Sequence, residues 1–185
     1  MKIAVISFGG RKNGNCAGIM NLLCRLLEQE NEVRAFDFSA FNMTPCGGCK
    51  YECFDKAESC PYINDPVYSI YDEITNSGLA YFIVPNYCDY PCSVFFAFNE
   101  RSQCYFQKQL DRLEKYLSVP KRFIVVSNTG HDNFIAAFRY QINEDKEPET
   151  LFLSAKSFDR VSIKGDLMES EQAREDVRMF AEKPL

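Results

Sequence analysis

Residues 1–16 read MKIAVISFGGRKNGNC, and the succession of residue types in this stretch decides the fold. Ile3, Ala4, Val5 and Ile6 make an apolar run too brief for a helix and suited to a buried parallel strand. Residues 7–15 hold three glycines and two asparagines, so the backbone there turns tightly or sits at positive φ. Ile19, Leu22, Leu23, Leu26 and Leu27 then recur at helical spacing, which predicts a helix over about residues 16–30. A strand, a glycine-rich loop and a helix N-terminus form a phosphate-binding geometry. Free N–H groups and the positive end of the helix dipole face the anion. Arg11 and Lys12 add two cations to the loop. It fits neither G-x-G-x-x-G nor G-x-x-x-x-G-K-[ST], so no dinucleotide or NTP fingerprint is present. An ordinary β–α turn is the alternative reading.

Outward from that stretch the chain alternates strand and helix signals. Residues 33–38 (VRAFDF) read as a second strand. Asp65-Pro66 is an N-cap followed by proline at the first helical position, with Val67, Ile70 and Ile74 as the apolar stripe. Residues 79–84 (LAYFIV) are apolar almost throughout, a central strand covered on both faces. A loop at 85–91 (PNYCDYP) leads into one long helical pattern ending near Leu117. Residues 122–126 (RFIVV) predict the fourth strand, 133–142 a short helix, 144–149 (EDKEPE) an exposed turn, 160–163 the fifth strand, and 169–182 a closing amphipathic helix. Five alternating strands make a single-domain, doubly wound parallel sheet with helices on both faces. Ligands of such sheets bind at the carboxyl ends of the strands. Three polar or glycine-bearing loops fall there: 7–15, 85–91 and 127–132.

The net charge of −5 argues against nucleic acid or an anionic membrane as partner. No apolar run approaches the ~18 residues of a membrane span. The start of the chain does not read as a signal peptide, and nine cysteines without an export signal point to a reducing cytoplasm. Four of them, Cys46, Cys49, Cys53 and Cys60, form C-x2-C-x3-C-x6-C inside the aperiodic segment 42–63. Gly47 and Gly48 let the backbone wrap closely, and four thiolates suit iron–sulfur or zinc; free thiols are the third possibility. Cys24 and Cys104 read as core packing, and Cys88 and Cys92 as redox-active or plain loop thiols. With His131 the only histidine, a Ser–His–Asp hydrolase elsewhere in the chain has no support.

With the three loops in view, the sequence resembles the flavodoxin-like NADPH-dependent FMN reductase family, particularly its iron–sulfur flavoprotein branch. Residues 6–16 are similar to the family's N-G-S-P-R-x-x-G-N-T loop, with Arg11, Lys12, Asn13, Gly14 and Asn15 matching. Gly9, Gly10 and Cys16 stand where the family usually carries serine, proline and a hydroxyl residue. Pro85-Asn86-Tyr87 is similar to the family's P-x-Y turn, and residues 95–101 (FFAFNER) to the helix after it. The resemblance implies strand order 2-1-3-4-5. It implies FMN with its phosphate on Gly9, Arg11, Asn13, Gly14, Asn15 and Cys16. Its ring would lie between Pro85, Asn86, Tyr87, Cys88 and Asp89 on one side and Thr129, Gly130 and His131 on the other. It further implies a [4Fe–4S] cluster on the four clustered cysteines, NAD(P)H as electron donor, a small-molecule or protein redox partner, and a homodimer or homotetramer. A non-enzymatic flavodoxin-type carrier and a zinc-stabilised interaction module with a vestigial flavin site are the competing expectations.

Overall fold

A computed structural model of the chain describes residues 1–56, 58–128, 132–142 and 147–185. In chain order the elements are β1 (Lys2–Ser7), α1 (Asn15–Leu27), β2 (Glu32–Asp37), α2 (Glu52–Asp55), α3 (Pro66–Thr75), β3 (Leu79–Tyr87), β4 (Tyr90–Pro91), α4 (Ser93–Phe106), α5 (Leu110–Ser118), β5 (Lys121–Val126), α6 (Asp132–Phe138), β6 (Glu149–Leu153) and α7 (Glu171–Ala181). The sheet runs β2-β1-β3-β5-β6, all parallel, with the two-residue β4 antiparallel to the end of β3. Counting only the five parallel strands, this is the expected order 2-1-3-4-5, and the fold is flavodoxin-like.

Alternation along the strands splits the core into two layers. Ala4, Ile6, Phe82, Val84, Phe123 and Val125 face α3, α4 and α6, whose Tyr71, Phe95, Phe98 and Phe138 build a mostly aromatic layer. Phe98 stacks on Tyr71 with centroids 4.3 Å apart, and Phe123 on Phe138 at 4.0 Å. Ile3, Val5, Tyr81, Ile83 and Ile124 face the other way, onto Ile19, Leu22 and Leu23 of α1 and Val177 and Phe180 of α7. Burial of the Phe98 ring alone is worth about 1.5–3 kcal/mol.

Three expectations about the elements are corrected. The fifth parallel strand is β6 at Glu149–Leu153, not residues 160–163. Val161 and Ile163 supply an alternating apolar pattern but stay exposed, at 45% and 80%, so nothing holds them in a sheet. Of the expected acidic turn, residues 144–146 lie outside the described residues, and Glu149 begins β6. The long helical pattern is two helices, broken where Lys108 takes φ +59° with no glycine or proline to mark the break.

Lys121 opens β5 with its ammonium buried. Nζ donates to the Val119 carbonyl at 3.0 Å and to that of Tyr116, and stands 4.1 Å from the Tyr116 ring centroid. Burial pulls its pKa down from 10.5 to about 7. Between those values the unfolded chain binds more protons at Lys121 than the fold does, so this group makes stability rise with pH. Buried thiols act oppositely: Cys16 and Cys104 are pushed up to about 12 and Cys92 to about 11 from 9.0, chiefly by burial. Their contribution is intact below pH 9.0 and is lost as pH rises through their folded values. Thermal unfolding should therefore show stability rising between about pH 7 and 9 and falling above. Lys121→Met should abolish the rise and keep the fall; a variant that retains the rise would exonerate Lys121.

Candidate functional site

The carboxyl ends of β1, β3 and β5 open onto one cavity of about 290 Å³, at the lower end of the range for small-molecule sites. Its first wall is the loop after β1. Phe8 is locked into the aromatic layer, its N–H donating to the Ile83 carbonyl at 2.9 Å, and the chain leaves the sheet at Gly9. A Cβ on Gly9 would lie 2.7 Å from the Cys16 Cβ, so the strand end passes α1 this closely only without a side chain. Gly14 N-caps α1 in an extended conformation, its N–H donating to the Arg11 carbonyl at 3.1 Å, and no side chain caps the helix. The first-turn N–H groups are thus left without a side-chain acceptor beside the cavity, the arrangement that receives an anion.

Pro85, Asn86, Tyr87 and Cys88 form the second wall. The expected loop is a hairpin: Tyr87 pairs with Tyr90 across a turn in which Cys88 and Asp89 take φ +54° and +68°. Two successive left-handed residues make the twist that joins antiparallel strands tightly, normally with asparagine and glycine. Val126 and Asn128 supply the third wall, joined to the second by Asn86, whose Nδ2 donates to Ser127 Oγ at 2.6 Å. Ser162 closes the fourth side.

That fourth wall is fastened to the first by two side chains. Arg11 donates to the carbonyls of Ile163 at 2.6 Å and Ser162 at 2.9 Å. Asn15 donates to the Ser162 carbonyl at 3.3 Å and accepts the Leu167 N–H at 3.0 Å. Gly165, at φ +76°, lets the returning backbone pass the Asn13 carbonyl, which a Cβ there would meet at 2.4 Å. Gly9, Arg11, Gly14, Asn15, Cys16, Pro85, Asn86, Tyr87 and Cys88 line one cavity. Asn13 is exposed beside it, and Asp89 turns to Asn133, accepting from Nδ2 at 2.8 Å. Thr129, Gly130 and His131 lie outside the described residues. Gly10 and Asn128, inside two of the expected strand-end loops, also line the cavity, and so do Val126 and Ser162, which were not expected there; Ser162 lay inside the misassigned strand. Burial pushes the Cys16 thiol up to about 12, so it brings no thiolate to the cavity at neutral pH.

Arg11→Ala removes its two hydrogen bonds to the 160s loop, leaving those of Asn15, and takes away a cation beside the α1 N-terminus. Phosphate-ligand affinity should fall by roughly 1.5–3 kcal/mol, the worth of a hydrogen bond to a charged group. FMN titration followed by flavin fluorescence reads this directly, and unchanged affinity would remove Arg11 from the site.

The four clustered cysteines line a second cavity, also about 290 Å³, mainly apolar in its surroundings and walled on one side by Glu100, Gln103 and Cys104 of α4. Cys53 and Cys60 are buried, and Cys46 and Cys49 partly so. Gly47 takes φ +102°, a conformation that favours glycine, and a Cβ on Gly48 would press on the Tyr62 hydroxyl at 2.6 Å. Among the described residues no three His, Cys, Asp or Glu side chains stand close enough to hold a single metal ion. Cys104, expected only to pack, faces the same cavity as a fifth thiol.

Fold and site together define a flavodoxin-like α/β domain with a glycine-loop cavity at the carboxyl ends of its strands and a thiol-lined cavity beside α4. No family model matches the sequence. An iron–sulfur flavoprotein of Clostridioides difficile (strain 630) is 31% identical over 115 residues, 60% of this chain and 50% of that protein. The alignment thus spans about half the length of the curated relative. Among solved structures, the flavoenzyme NAD(P)H:(acceptor) oxidoreductase FerB of Paracoccus denitrificans superposes with TM-score 0.56 at 14% identity, over 97% of this chain and 94% of its own. An FMN-dependent NADH-azoreductase of Bacillus anthracis, solved in complex with FMN, gives TM-score 0.61 at 9% identity over 98% of each chain. At these identities the structures establish the fold, and they bear out the resemblance read from the sequence at that level.

Proposed function

We propose that the chain is an FMN-dependent oxidoreductase that takes electrons from NAD(P)H and passes them to a small-molecule or protein acceptor. One observation carries this reading: the glycine loop, the uncapped α1 N-terminus and the Pro85-Asn86-Tyr87 turn converge on one cavity. Its residues fit the phosphate end of a flavin. Gly10 has no heavy atom within 4 Å of where its Cβ would stand, leaving room for an anion against the backbone. FMN, when bound, supplies one- and two-electron redox chemistry that no side chain here can. The chain's task is to hold and orient it. N–H groups at the start of α1 would receive the phosphate, Arg11 would offset its charge, and Tyr87, 61% exposed, would stand beside the ring.

Cys46, Cys49, Cys53 and Cys60 would hold a [4Fe–4S] cluster. A cubane takes one thiolate on each iron, so its ligands stand apart around a cavity, whereas a single zinc draws four sulfurs to ~2.3 Å of one point. Four thiols lining one cavity suit the former. Helix α4 begins beside the flavin cavity and passes the thiols. Its rise from Ser93 to Cys104 is about 16 Å at 1.5 Å per residue. Tyr87 and its hairpin partner Tyr90, exposed at 61% and 51%, are the aromatic surface a second copy would cover in a homodimer or homotetramer. All nine cysteines are unpaired, which suits a reducing, cytoplasmic setting, and no helix among the described residues is long and apolar enough to cross a membrane.

Anaerobic stopped-flow mixing of the FMN-loaded protein with NADPH or NADH is the test. Bleaching of the flavin band within seconds is the expected result. A flavin that stays oxidised with both, yet is reduced by dithionite, would favour the flavodoxin-type carrier.

A further inference from the structure

Arg101 is the largest fully buried side chain among the described residues, at 0% exposure on α4, the helix that walls the thiol cavity. Its guanidinium gathers the two ends of the cysteine loop. Nη1 donates to the Thr44 carbonyl at 2.8 Å, just before Cys46, and pairs with Asp65, just after Cys60. Nη2 donates to the Tyr62 carbonyl at 3.1 Å and to the Cys60 sulfur at 3.8 Å. Nε is buried with no hydrogen-bond partner among the described residues. A buried cation that touches a thiol and still has an unused N–H costs stability where it stands, because each such donor has lost its water. The cost is offset if the sulfur beside it becomes anionic, since an N⁺–H···S⁻ contact is charge-assisted.

We propose that Arg101 is the positioning residue and built-in countercharge of the thiol centre, closing the cysteine loop and stabilising the electron-poor, less negative state of a bound cluster least and the electron-rich state most. The inference rests on the cluster reading above. In it, Arg101 donates to the ligand sulfur of Cys60, and Asp65 sets how much of the guanidinium charge reaches that sulfur. Asp65 also caps α3, its Oδ1 accepting the Val67 N–H at 3.0 Å, a task asparagine performs equally well. The two residues therefore make opposite electrostatic predictions. Removing the cation disfavours adding an electron; neutralising its carboxylate partner favours it.

The experiment reconstitutes the full chain anaerobically with Fe(II) and sulfide, then measures iron content and the midpoint potential of the cluster by dye-mediated titration. Arg101→Met should shift the potential to more negative values, and Asp65→Asn to more positive values. Arg101→Lys, which keeps the charge but not the fork, should fall between native and Arg101→Met. A purely structural role would lower iron content in both Arg101→Met and Asp65→Asn without opposite shifts. If Arg101→Met does not fold or load, the positive shift in Asp65→Asn decides alone. A native chain that takes up no iron would overturn the cluster reading and this inference together. A loaded native chain whose potential is unmoved by Asp65→Asn, or moves negative, would overturn this inference alone.

Discussion

Gly9→Val is expected to abolish retention of FMN through purification. The β1 strand end passes the first turn of α1 so closely that even a methyl at position 9 would stand 2.7 Å from the Cys16 Cβ. That atom belongs to a buried helical residue and cannot swing aside as the tip of a long side chain would. The helix start must therefore move, and its N–H groups move with it. Overpacking of this kind costs about 1–3 kcal/mol of stability. The same displacement should lower FMN affinity by about tenfold to a hundredfold, because the anion is held by groups whose value depends on their alignment. Circular dichroism checks that the fold survives, and fluorescence quenching on titration with FMN reads the loss. A Gly9→Val chain that folds and binds FMN like the native one would mean that the phosphate sits elsewhere.

Cys49→Ala should remove the iron. The native chain, reconstituted without oxygen, is expected to hold about four iron and four sulfide, the content of one cubane. Losing one thiolate of four leaves an iron open to solvent, and little iron should survive gel filtration. The segment 42–63 should also loosen, since among its described residues the only regular element is the four-residue α2 and its shape rests on Gly47 and the clasp of Arg101. Faster proteolysis between residues 44 and 62 than in the loaded native chain is the second readout. Iron retained in full by Cys49→Ala would dismiss Cys49 as a ligand.

What the sequence showed plainly was whatever a period or a forced backbone state writes into it. The apolar runs of β1 and β3 and the Asp65-Pro66 start of α3 stood out because burial on both sheet faces and helix capping each demand particular residue types. The glycine loop was legible for the same reason: at Gly9 only hydrogen fits. What stayed hidden was set by tertiary contact. β6 is an edge strand, half-buried and opened by a glutamate that pairs with Arg122, so its apolar alternation is diluted. Residues 160–163 showed the alternation without the burial. Ser162 reaches the site because Arg11 and Asn15, some 150 residues earlier in the chain, hold its carbonyl and Asn128 donates to its hydroxyl. Arg101 gave no local sign of its role, since an arginine in a helix reads as a solvated charge until the two ends of the cysteine loop, at Thr44 and at residues 60–65, are seen to meet it.

A flavin cavity and a four-thiol centre in one chain are tested most directly by the visible absorption spectrum of anaerobically purified protein, with acid extraction and identification of whatever is released. The expected result is a flavin spectrum over a broad iron–sulfur shoulder, and about one FMN released per chain. A colourless protein that releases no flavin, and binds none when FMN is added to the folded chain, would contradict it.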